Sequence, residues 1–115
     1  MNITQLNYAK TKALYEANTS ALSKEVNPIV ADIVSGKIPQ EIGYNQIDAI
    51  EDKLGHVKIT DIYFEAQKQL IEWGRSIIQK QSPSRYNQVK IVFDKYHNYP
   101  DVREKLLDLC FRLNS

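Results

Sequence analysis

The residues of this chain whose chemistry could support a reaction are few and widely spaced. His56 and His97 are its two histidines, and Cys110 is its one cysteine. A catalytic thiol needs a base within reach and an electropositive setting that lowers its pKa. Cys110 instead sits in the run Leu106-Leu107-Asp108-Leu109-Cys110-Phe111, thirteen residues beyond His97. That company predicts a buried, reduced, structural thiol. His56 follows Gly55 at a helix end, where an imidazole acts as a cap or a surface group. Asp48 and Asp52 stand four apart on one helix face and could hold a hard cation, but with Lys53 beside them they read as a solvated face. Zinc would require clustered Cys or His at ligand spacing. Gly36, Gly43, Gly55 and Gly74 are too dispersed for a phosphate loop. Helical ribonucleases place an Arg close before a His, whereas Arg85 and His97 are twelve apart. The expectation is a protein without catalytic residues, metal or cofactor.

Residues suited to recognition are more concentrated. Arg75, Lys80, Arg85, Lys90 and Lys95 are opposed over their span by Asp94 alone, with Tyr86, Tyr96 and Tyr99 among or beside them. Cations that reach phosphates beside tyrosines that stack on bases would form a nucleic-acid patch. The same residues equally form the outer faces of two amphipathic helices, with Lys90 and Asp94 paired one turn apart. Seven tyrosines and one tryptophan suit a protein interface, apolar on one side and wet on the other. Tyr8 and Tyr15 share one helix face. Phe64 and Ile71, also seven apart, stand off the main stripe of a later helix. These four are the candidate protein interface.

The elements that must position these groups show helical spacing almost throughout. Ile59, Ile62, Ala66, Leu70, Trp73 and Ile77 recur at three and four, predicting a helix over 59–80 with Thr60 as N-cap. Gly74 inside it would let another helix approach closely. Ser82-Pro83-Ser84 breaks the pattern before a helix over 84–97, with Tyr86, Val89, Val92, Phe93 and Tyr96 inward. A last helix, 101–113, follows Pro100. In the first half, Ala9, Ala13, Ala17 and Ala21 line a helix over 4–24 as a small face for close packing, and Asn27-Pro28 should end it. A short apolar segment, 28–35, closes at Gly36 and reads as helix, although its β-branched run also fits a strand. A helix over 45–54, stopped by Gly55, completes the set. Tyr99-Pro100-Asp101-Val102-Arg103 is similar to the start of an inner helix in HEAT-type repeats; it occurs once, without a repeat of about 30–45 residues.

The whole is 115 residues, 43% hydrophobic and 25% charged, with a net charge of +1. Folding at this mass can bury about two-thirds of the chain surface, enough for a core without disulfides. The neutral total hides a division, since residues 1–57 carry five Lys against seven acids and residues 58–115 ten bases against seven. No secretion signal or membrane span is visible. These features predict an all-α, compact bundle of five or six helices forming a single helical domain over 1–115. The expected role is a cytoplasmic, non-enzymatic protein-interaction module, such as a regulator, adaptor or immunity-type partner, that pairs as a homodimer. The alternative is nucleic-acid binding through the basic tract.

Overall fold

A computed structural model describes residues 1–114, and they are all-α. Among them are five α-helices: α1 (Ile3–Val34), α2 (Gln40–Leu54), α3 (His56–Gln81), α4 (Pro83–Lys95) and α5 (Pro100–Arg112). A 3-10 turn, Tyr96–Asn98, precedes α5. The described residues form no strand, so 28–35 is helical.

That segment is not separate, however. α1 runs unbroken through Pro28. Proline removes one N–H and leaves the carbonyl four residues back without its intrahelical donor, but Lys24 is exposed and water can serve it. The stop comes at Gly36, whose φ of +81° is open to glycine at little cost. Gly36 N–H donates to Ile33 O at 3.1 Å and Lys37 N–H to Asp32 O at 2.9 Å, the Schellman arrangement. α1 begins with a reciprocal capping box: Gln5 N–H donates to Asn2 Oδ1 at 2.8 Å, and Asn2 N–H to Gln5 Oε1 at 3.0 Å.

Two compact units divide the chain: Lys10–Tyr63, and Met1–Ala9 with Phe64 onward. In the Lys10–Tyr63 unit, α2 starts five residues earlier than the spacing suggests, and Gly43 is buried inside it. A Cβ there would run into Ile33, so this glycine sets the α1–α2 approach. The alanine stripe does not. Ala13 and Ala17 are exposed, while Thr11 is buried and Tyr15 and Asn18 are half-buried. Larger side chains with hydrogen bonds to make gain more from that inner face than alanine does. Only Gly55 (φ +62°) separates α2 from α3. Helix therefore resumes at once, and Thr60 lies inside α3 rather than capping it.

The second unit holds the larger core: Tyr8, Ala66, Leu70, Ile71, Tyr86, Phe93, Tyr96, Leu106, Leu107 and Cys110 are all buried. Ile62, placed inward by the α3 stripe, is exposed in the first unit; on α5 the inward face runs through Leu106, Leu107 and Cys110, and Leu109 is exposed. Gly74 is the point of closest approach here. A Cβ on it would strike the Cys110 sulfur and sit 3.0 Å from the Cys110 Cβ. Gln5 from α1 seals the end of α5: its Nε2 donates to the carbonyls of Cys110, Phe111 and Leu113 at 3.3, 3.0 and 2.7 Å. Carbonyls at a helix end lack the usual donor four residues on, and of these three the Cys110 carbonyl also accepts the Leu113 N–H at 3.3 Å.

Candidate functional site

Cys110 and His56 are built into the scaffold, whereas His97 is exposed beside the Tyr96 ring. Cys110 has no exposed surface, and burial pushes its thiol up to about 12. A neutral, enclosed thiol is a packing group. His56 belongs to a capping network in the Lys10–Tyr63 unit. Asn18 Nδ2 donates to the Leu54 carbonyl at 2.8 Å, which turns Asn18 Oδ1 towards His56 Nδ1 at 2.6 Å and makes that nitrogen the donor. Thr60 Oγ1 lies 3.5 Å from the other ring nitrogen. Tyr15 stacks on His56 and on Tyr63, with centroids 6.2 and 4.7 Å away. The network ties off the end of α2 and gives both ring nitrogens of the half-buried His56 a neighbour. No group of three or more metal-ligating side chains occurs among the described residues.

The basic tract is dispersed in use. Arg75 Nε donates to the Tyr86 hydroxyl at 2.7 Å and its Nη2 to Asp94 Oδ1 at 2.8 Å. The guanidinium also lies 5.6 Å from the Tyr86 ring centroid and 6.0 Å from that of Phe93. The Tyr86 hydrogen bond raises its pKa most, with Asp94 adding to it against a desolvation penalty. Asp94 is thus paired with Arg75, not with Lys90. Lys80, Arg85, Lys90 and Lys95 are exposed.

The four interface candidates fall in different environments. Tyr8 and Ile71 are 6% and 2% exposed and lie in the core of the second unit; Tyr15 is half-buried in its stack; Phe64 is exposed. A partner touches only accessible surface, which leaves Phe64 and an edge of Tyr15.

Two features were not singled out by spacing. One is the thin interior of the Lys10–Tyr63 unit: Thr11, Gly43 and Tyr63 are its buried residues, whereas Leu14, Val30, Val34, Ile42, Tyr44, Val57 and Ile62 are exposed. The other is a groove of about 310 Å³ in the second unit, walled by Ile78 on α3, Val89, Val92 and Phe93 on α4, and Leu106 and Leu109 on α5. Gln81, Ser82 and Arg85 line it at the α3–α4 turn. The volume lies at the small end of ligand pockets.

Comparison of the chain with protein-family models, curated proteins and solved structures returns no match.

Proposed function

We propose that this chain is a protein-interaction module that pairs with a second copy of itself through its Lys10–Tyr63 unit. The observation behind this reading is the imbalance between that unit's core and its surface. Three residues are buried while seven large apolar side chains are exposed, Val34 at 83% and Val57 at 62%. Small units are marginal on their own cores, and large apolar side chains left in water are what a protein contact buries. A second copy offers a surface of the same polarity, and a two-fold contact uses one patch twice. The unit carries six Lys against eight acids, so self-repulsion is weak. The basic tract favours this reading over nucleic-acid binding, because Arg75 already has Tyr86 and Asp94 as partners.

Sedimentation equilibrium on the wild type and on Val34→Asp, Ile42→Asp and Val57→Asp tests it. All three side chains are exposed, so the substitutions should leave the fold intact. The expected result is a wild-type dimer that each variant weakens at least tenfold, with Leu109→Asp in the other unit as an unaffected control. A wild type that stays monomeric at high micromolar concentration refutes the pairing.

A further inference from the structure

The groove of the second unit has a division of chemistry along its length. Its apolar walls continue down α4 and α5 through Val89, Val92, Leu106 and Leu109, and its polar groups gather at the α3–α4 turn. No carboxylate stands among its described lining residues. Gln81 donates its amide to the Asn114 carbonyl at 3.4 Å, and the Ser82 hydroxyl makes no capping bond. Arg85 has no hydrogen bond or ion pair with any described residue, in contrast to Arg75 and Arg112, which face Asp94 and Asp108. A cation at one end of an apolar trough complements an anion carrying an apolar chain. The unit as a whole reinforces that sign, with nine bases against six acids.

We propose that this groove binds a single-chain carboxylate amphiphile of the medium-chain fatty-acid class. The carboxylate rests on Arg85, with the Ser82 hydroxyl as a second donor, and the chain lies between α4 and α5. Guanidinium suits this headgroup because its fork can donate two hydrogen bonds to one carboxylate. The space sets the chain length: 310 Å³ is about ten water volumes at roughly 30 Å³ each. That favours octanoate or decanoate over longer acids. This site is independent of the pairing surface proposed above.

Titration calorimetry and methyl NMR with octanoate, decanoate, decanol and decyltrimethylammonium test the assignment. Decanoate should bind one per chain, and each methylene between octanoate and decanoate should tighten binding by up to about fourfold. Decanol should bind at least tenfold more weakly than decanoate, and the cationic amphiphile should not saturate. Methyl shifts should move at Val89, Val92 and Leu106 while Leu14 and Val30 stay still. Arg85→Gln should bring decanoate down to the level of decanol and leave decanol unchanged. Leu109→Asp should weaken both. Equal affinity for decanol and decanoate, indifference to Arg85→Gln, or shifts spread over the Lys10–Tyr63 unit would overturn the proposal.

Discussion

Replacing Gly74 by alanine sets two opposed effects against each other at one position. In an exposed helix interior the change is favourable by about 1 kcal/mol, because glycine has more backbone freedom to lose. Here the new methyl would strike the Cys110 sulfur, with the Cys110 Cβ at 3.0 Å and Leu113 Cδ1 at an ordinary 3.5 Å. Carbon neighbours rest at about 3.5–4.0 Å, so α3 and α5 must separate. Cys110 has no exposed surface into which to turn. Overpacking of this kind costs about 1–3 kcal/mol, and since the obstacle includes Cβ as well as a rotatable sulfur, the upper half of that range applies. Gly74→Ala should therefore destabilise by about 1–2 kcal/mol net of its helix propensity. Cys110→Ala alone should cost about 1 kcal/mol, as for loss of one methyl-sized buried group. Together they should be less harmful than their sum by about 1–2 kcal/mol, since the sulfur is gone and only the 3.0 Å contact has to yield. Urea unfolding followed by circular dichroism gives all four corners of the cycle. A stabilised Gly74→Ala, or single effects that add within about 0.5 kcal/mol, refutes the close approach as the reason for this glycine.

Gln5→Glu keeps the side chain's shape but presents only acceptors to three carbonyls; it should cost at least about 2 kcal/mol at pH 7 in urea melts, more than Gln5→Ala. Burial raises the Cys110 thiol from 9.0 to about 12, so its stabilising contribution is complete below pH 9 and lost as pH climbs towards 12, because the unfolded chain releases the proton first. Between pH 8 and pH 10 the wild type should lose about 1 kcal/mol more stability than Cys110→Ala, and equal losses would remove this account. Pro28→Ala restores a helical N–H in α1 and should strengthen the α1 amides around it by about 1 kcal/mol or more, read by hydrogen exchange.

The sequence carried the helical class and most boundaries because period, proline and glycine are local signals. Gly36 and Gly55 terminate helices as their spacing suggests, since a left-handed residue is required there whatever packs nearby. Pro28 misleads for the opposite reason: whether a helix survives proline depends on whether the orphaned carbonyl reaches water, which is a tertiary fact. The alanine stripe fails likewise, because small size permits close packing without requiring it. The Asn2-x-x-Gln5 box was legible and is a missed signal; the second task of Gln5, at carbonyls more than 100 positions away, was not. Arg75 reads from sequence as one of five equivalent cations, and only the fold distinguishes it by bringing Tyr86 and Asp94 to it.

Gln5 also imposes an order in time. The carbonyls it seals lie 105 to 108 positions later in the chain. At roughly 5–20 residues per second, a ribosome needs about 5–20 seconds to produce them. The whole Lys10–Tyr63 unit is made within this interval. For this interval Gln5 and Tyr8 wait with their partners Cys110 and Phe111 unmade. A ribosome stalled with α5 still in its tunnel would hold the start of α1 without the helix whose end it seals, and that state is where a chaperone has most reason to bind.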